Sequence, residues 1–240
     1  MKTNEKNNTI AIILARGGSK GIPNKNIKSF LGKPLLVWTI IQASMSKHIS
    51  KVYLSSDSEK ILKIGKRYNA IAIKRPKNIS GDKAKSEEAV LHVLDNIKYI
   101  PDAVVMLEPT APLREPWDID MGVESFYKDN LDTGFSGAIL EDFLIWKENK
   151  RKKLTPINYN FKKKVPRQDR EPEIVENGAI FIFKPSAIKK YNNRFGGKIG
   201  FFVNKFWQSF EIDNIDDWKF VKFVFEKYLL KKYNKIKLKN

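Results

Sequence analysis

Residues Leu14–Asn26 read LARGGSKGIPNKN and follow directly on the apolar run Thr9–Leu14. A short apolar run that ends at a glycine cluster reads as a buried strand delivering the chain into a tight connection. Three glycines there let the backbone turn sharply and bring N–H groups together around an anion. Arg16, Lys20 and Lys25 add positive charge. The spacing is neither G-x-x-x-x-G-K-[ST], because Lys20 stands between Ser19 and Gly21 and Lys25 is followed by Asn26, nor G-x-G-x-x-G. The residue types still predict an anion site, and so much charge suits a triphosphate better than a neutral sugar. The competing reading is an ordinary strand-to-helix turn with solvated lysines.

Outward from this loop, strand and helix patterns alternate. A helix is predicted from Pro34 to about Ser46, a strand at Lys51–Ser55, and a helix from Glu59 to about Tyr68 behind the capping candidates Ser56-Asp57-Ser58. Ile71–Lys74 is a third strand. Ser86–Ile97 carries apolar residues at Ala89, Val90, Val93, Leu94 and Ile97, the spacing of an amphipathic helix. Strands at Asp102–Leu107 and Gly134–Leu140 flank a helix at Asp118–Lys128. The rhythm breaks between about Glu141 and Pro172, a lysine-rich stretch with Trp146, Tyr159 and Phe161, which reads as an arm outside the sheet. It resumes with a strand at Glu176–Phe183, a short helix near Ser186–Tyr191, a strand at Gly200–Val203 and a final helix from about Asp216. The pair Asn177-Gly178 marks a turn entering its strand. The fold class is therefore α/β: a doubly wound, mostly parallel sheet with helices on both faces and one protruding arm. Ligands in such folds bind at the carboxyl ends of the strands, where the glycine loop begins.

The chain has 240 residues and 42% hydrophobic content, enough for one domain with a sizeable core. The expected organisation is a single domain over residues 1–240, with 141–172 as the arm and 227–240 as a lysine-rich tail. Residues 1–8 are polar and expected to fray. Cysteine is absent, so thiolate chemistry and Cys-based zinc are excluded, and two scattered histidines, His48 and His92, do not make a metal site. Any metal would take oxygen ligands. The first apolar run is too short to span a bilayer, and the chain reads as cytoplasmic. The formal charge of +18 invites a polyanion partner, yet only eight of the 45 basic residues are arginine and no nucleic-acid motif is present, so solvated lysine faces explain most of it.

Several segments in register carry a family resemblance. LARGGSKGIPNKNIKSFLGKPLLVWTI, SSDSEKI, KRPKNISGDKAKSEEAV, LEPTAPLR, PRQDREPEIVENGAIFIF and FEIDNIDDW together resemble the acylneuraminate cytidylyltransferases, or CMP-sialic acid synthetases, from about Ile10 to Trp218. The resemblance implies a nucleotidyltransferase-like Rossmann variant that joins CTP to a sialic-type nonulosonic acid and releases pyrophosphate. It implies nucleotide contacts at Arg16, Gly17, Gly18, Ser19, Lys25 and Asn26, with Lys25 on the phosphates, and at Arg75 and Ser86 near the cytosine and ribose. Arg16, Lys25 and Asp213 are the expected catalytic set. For the sugar acid it implies Glu108, where the family commonly has Gln, with Thr110, Arg167, Gln168 and Asn177. A planar guanidinium at Arg167 suits a carboxylate. Glu211 and Asp213 alternate across Ile212, so in an extended segment both carboxylates face one side and can hold Mg²⁺. The resemblance also implies a homodimer paired through the arm, with Lys147 reaching the partner's sugar site, and no membrane or specific nucleic-acid partner. Two rival readings are another sugar-acid nucleotidyltransferase and a non-catalytic polyanion binder.

Overall fold

The computed structural model of the chain describes residues 7–141 and 143–235. The elements are β1 (Thr9–Leu14), β2 (Ser29–Phe30), β3 (Lys33–Pro34), α1 (Leu35–Met45), β4 (Ile49–Ser56), α2 (Glu59–Arg67), β5 (Ile71–Lys74), α3 (Ser86–Asn96), β6 (Ala103–Leu107), α4 (Asp118–Lys128) and β7 (Thr133–Leu140). They continue with β8 (Trp146–Glu148), β9 (Leu154–Pro156), β10 (Glu173–Phe183), α5 (Pro185–Tyr191), β11 (Ile199–Val203), α6 (Ile215–Tyr228) and α7 (Leu230–Lys235).

Seven strands form one sheet in the order β11-β7-β10-β6-β1-β4-β5. β1 lies parallel to β4 and β6, β4 parallel to β5, and β11 parallel to β7. β10 alone runs antiparallel to both its neighbours, β6 and β7. All six residues of β1 are buried, as expected for a central strand covered on both faces. Its alternate side chains feed two apolar clusters: Ala11 and Ile13 join the one holding α1, α4 and α6, while Ile10 and Ile12 join the one under α3. α1 is apolar nearly all round because it is enclosed. The sheet lies on one side and α6 on the other, with the rings of Trp38 and Phe225 4.7 Å apart.

The structure departs from the sequence reading in several places. Pro34 pairs with Ser29 in the small β2–β3 hairpin, and the helix begins one residue later. Asn177-Gly178 is no turn at the start of a strand: β10 already begins at Glu173, and the pair lies where its register with β7 shifts between Glu176 and Phe181. Gly178 takes φ +62°, a conformation costly for other residues, so an internal bulge borrows the chemistry of a turn. The expected lysine-rich tail includes the end of α6 and all of α7, whose Tyr233 is buried; residues 236–240, like 1–6 at the other end, lie outside the described residues.

The stretch 141–172 stands outside the main sheet and carries the β8–β9 hairpin, with the Trp146 ring 5.7 Å from those of Tyr159 and Phe161. Among the described residues no helix is long and apolar enough to cross a membrane.

Candidate active site

The carboxyl ends of β1, β5 and β6 open on one cleft. It is walled by Arg16, Ser19, Lys20, Gly21, Lys25 and Asn26 of the glycine loop, by Arg75 and the 79–86 segment after β5, by Glu108–Thr110 after β6, and by Asp213. Ala15 extends the sheet by donating its N–H to the Ser55 carbonyl, and the Gly17 N–H donates to Asp57 Oδ1 at 2.8 Å. Asn26 ties the loop back on itself through Nδ2 to the Arg16 carbonyl, while its Oδ1 is buried with no partner. Gly21 is required by close approach: a Cβ there would lie 1.9 Å from the Asp213 carbonyl oxygen. The glycine loop and the 211–214 segment thus meet backbone to backbone.

Lys25 is buried in a 3-10 turn over Lys25–Ile27 and donates to the Ile212 carbonyl at 2.5 Å, with Asp213 Oδ1 at 3.3 Å. Arg16 and Lys20 each contact one oxygen of Asp82, at 2.6 and 2.8 Å. Arg75 is buried, and its Nε has no partner. Burial pushes its pKa down and the Asp57 carboxylate opposes that shift. Ser86, the first residue of α3, lines the same wall.

Glu108 is half-buried, and among the described residues its carboxylate has no ion-pair partner. Burial raises its pKa against the pull of Arg194, Arg114 and Arg75. The Thr110 carbonyl accepts from the Ile212 N–H at 2.8 Å, joining the β6 wall to the 211–214 segment. That segment is a loop and not a strand: Ile212 is buried, and Asn214 caps α6 by accepting from the N–H groups of Asp216 and Asp217. Asp213 is largely exposed at the cleft rim, whereas Glu211 is tucked behind it against Gly178, where a Cβ would strike Glu211 Oε1 at 1.9 Å. The pKa of Glu211 is pushed up to about 7, first by burial and then by the charges of Glu108 and Asp213.

Arg114 and Lys25 pull the other way without offsetting the shift. Among the described residues no cluster of three or more His, Asp or Glu could hold a metal unaided. Two carboxylates do match what Mg²⁺ takes from a protein when phosphate oxygens and water complete its shell. The raised pKa carries its own prediction. A carboxyl that titrates higher folded than unfolded destabilises the fold at pH values above its unfolded pKa, and the effect fades as pH falls from about 7 towards 4.5. Glu211→Gln is therefore expected to stabilise the ligand-free protein by roughly 1–3 kcal/mol at pH 8, with the gain gone near pH 4; urea titrations at both pH values measure it, and an equal gain at both would contradict this origin.

The cleft thus collects Arg16, Ser19, Lys25, Asn26, Arg75, Ser86, Glu108, Thr110 and Asp213 from the expected residues. Gly17 and Gly18 belong to its loop. Asn177 is buried and bonded to Ser136, Asn204 and its own bulge. Arg167 and Gln168 lie on the arm in an exposed 3-10 turn, Arg167 paired with Glu141, and Lys147 sits on exposed β8. None of these last three lines the cleft, and neither do Asn177 and Glu211.

Sequence reasoning gave no site role to Asp57, read as a helix cap, to Asp82 or to Arg114, the last residue of LEPTAPLR. The first two are ordinary surface-type carboxylates until the fold sets them against the loop. Arg114 is 1% exposed and spans the cleft's rear wall: Nη2 donates to the carbonyls of Glu108 and Ala179, Nε to Ala179 again, and Nη1 to Gln42 Oε1. The Tyr233 hydroxyl donates to its carbonyl from α7. An arginine ending an apolar, proline-rich stretch was the available signal.

Comparison with known proteins bears on this cleft. Residues 10–236 match the family described as cytidylyltransferase. The chain is 33% identical over 211 residues to N-acylneuraminate cytidylyltransferase A of Danio rerio, covering 87% of this chain and 48% of that protein. It is 30% identical over 223 residues to the post-translational flagellin modification protein B of Campylobacter coli, covering 90% and 94%. The chain therefore spans about half the length of the fish relative and nearly all of the bacterial one. Among solved structures, CMP:2-keto-3-deoxy-manno-octonic acid synthetase complexed with CTP superposes with a TM-score of 0.70 at 14% identity, over 92% of this chain and 100% of that one, a likeness of fold.

Proposed function

Because the chain belongs to the cytidylyltransferase family, we propose that it transfers CMP from CTP to a sialic-type nonulosonic acid and releases pyrophosphate. The observation that carries this reading is the convergence on one cleft of the glycine-loop cations, the Arg75–Ser86 wall and the Asp213 carboxylate. In the proposed reaction the anomeric hydroxyl of the sugar attacks the α-phosphorus and gives up its proton to solvent, the bond from the α-phosphorus to the bridging oxygen breaks in line, and pyrophosphate leaves with that bond's electron pair. Chemistry of this kind depends mainly on positioning and electrostatics. Arg16 and Lys25 hold the phosphate charge together with the N–H groups of Gly17, Gly18 and Ser19, and Asn26 keeps the loop closed. Lys25 also anchors Ile212, so the cation that meets the phosphates and the loop that bears Asp213 move as one unit. Arg75 and Ser86 face the nucleoside. Glu211 and Asp213 would hold Mg²⁺, which when bound neutralises charge on the reacting phosphates.

Glu108, Thr110 and Asn177 form the sugar side in this proposal. Arg167, Gln168 and Lys147 join it from the arm, with Lys147 serving a second copy's site. The whole chain then acts as one nucleotidyltransferase domain, with 141–172 as dimerisation arm and 227–240 as a lysine-rich tail. Exposed Phe143, Trp146, Leu154, Ile157 and Phe161 support pairing there. A homodimer is expected in light scattering at assay concentration; a fully active monomer would remove the arm of a second copy from the site. As a consumer of CTP, the enzyme is assigned to the cytoplasm.

The test is to supply Mg²⁺, each of the four nucleoside triphosphates and a panel of neuraminic, legionaminic and pseudaminic acids, and to follow pyrophosphate. Release is expected with CTP and one class of acid. Equal release from all four triphosphates, or none from any, would defeat the reading.

A further inference from the structure

The cations of the glycine loop have partners within the chain itself. Lys25 has Asp213 at 3.3 Å, and Arg16 and Lys20 share Asp82, one on each carboxylate oxygen. The Gly17 N–H is likewise held by Asp57. Asp82 comes from the segment between β5 and α3, which lines the same cleft as the glycine loop that carries Arg16 and Lys20. Its contact therefore joins two segments of the cleft lining and takes up two cations a polyphosphate would need.

We infer that Asp82 is a built-in competitor for the polyphosphate, an internal anion that a nucleoside triphosphate must displace and that reclaims Arg16 and Lys20 when pyrophosphate leaves. The inference rests on the reading of the loop as a polyphosphate site. Two cations brought close together repel, and one carboxylate taking both relieves that repulsion with two oxygens, as a phosphate would. Binding affinity is then the difference between the two anions and not the full attraction of the loop. Both sides of the exchange are solvent-exposed, so the difference is small enough for the exchange to run in either direction. A Cβ added at Gly81, beside Asp82, would meet nothing within 4 Å, so no neighbour packs on that side of the segment. Asp82 thus lowers affinity for every polyphosphate and speeds departure of the last one.

The experiment is titration calorimetry of the full chain with CTP, UTP and inorganic tripolyphosphate, in the parent protein, Asp82→Asn and Asp95→Asn. Asp95 is an exposed carboxylate on α3, and its replacement controls for the change in net charge. Asp82→Asn is expected to bind CTP and tripolyphosphate about 3- to 10-fold more tightly, the worth of two exposed ion pairs, with the gain shrinking at high salt. Pyrophosphate should inhibit that variant at correspondingly lower concentration. Unchanged or weaker binding in Asp82→Asn, or an equal gain in Asp95→Asn, overturns the inference. Tighter tripolyphosphate binding with CTP and UTP indistinguishable upholds it while defeating the cytidine reading, and failure of every polyphosphate to bind any variant defeats both.

Discussion

At limiting Mg²⁺, Asp213→Asn is expected to turn over on the order of 10²-fold more slowly than the parent chain, or worse, while keeping its melting temperature. The size follows from removing one preorganised electrostatic group that acts mainly in the transition state. Asparagine has nearly the same volume, and Asp213 is largely exposed, so the fold has no reason to notice. Lys25 keeps its bond to the Ile212 carbonyl and stays in place. What is lost is a negative oxygen ligand for a hard cation. Excess Mg²⁺, or Mn²⁺, should therefore recover part of the rate, because weaker binding is offset by mass action. Pyrophosphate release measured across a Mg²⁺ series is the assay. Near-normal turnover at limiting metal would mean that the cation is held elsewhere and that Asp213 is only a surface partner of Lys25.

Arg114→Met is expected to cost about 2–4 kcal/mol of stability, a large share of what a domain has, and to lower turnover in whatever folded protein remains. Burial already works against this guanidinium, pushing its pKa down to about 10, so part of the loss is returned when the charge is removed. The remainder comes from the carbonyls of Glu108 and Ala179 and from Gln42 Oε1, which lose their donor inside the protein. The catalytic effect has a different route. Ala179 adjoins Gly178, against which Glu211 rests, and Glu108 borders the cleft, so a relaxed rear wall displaces both carboxylates at once. Arg114→Lys keeps the charge but cannot reach Gln42, Glu108 and Ala179 together, and it should recover little. Urea denaturation gives the first number and pyrophosphate release the second; a loss below about 1 kcal/mol would show that water or a neighbour replaces the guanidinium.

The order and type of the elements were legible because they rest on short-range causes. The apolar run Thr9–Leu14 and the three-and-four spacing in α3 each act within a few positions, and the structure places those elements within a residue or two of the reading; α2 also starts at Glu59 as read, although no side chain caps it and Asp57 turns to Gly17 instead. The reversed direction of β10 was not legible, since a strand's own pattern of burial is the same whichever way it runs. Nor was its early start: Glu173–Glu176 looks too polar for a strand, and only pairing with β7 outside the main core makes it one.

The candidate site divides along the same line. That Leu14–Asn26 must turn sharply and gather positive charge was determined by its composition, because glycine geometry and formal charge belong to the residues themselves. What those charges meet was decided by the tertiary structure alone. Arg16 finds Asp82 across 66 positions, Lys25 finds Ile212 across 187, and Arg114 finds Ala179 across 65. The crowding that raises the Glu211 pKa comes from Glu108, on another wall of the cleft, and from Asp213. Contacts at such separations leave no periodic trace in one sequence, because each is an accident of which strand ends the sheet brings to a common edge.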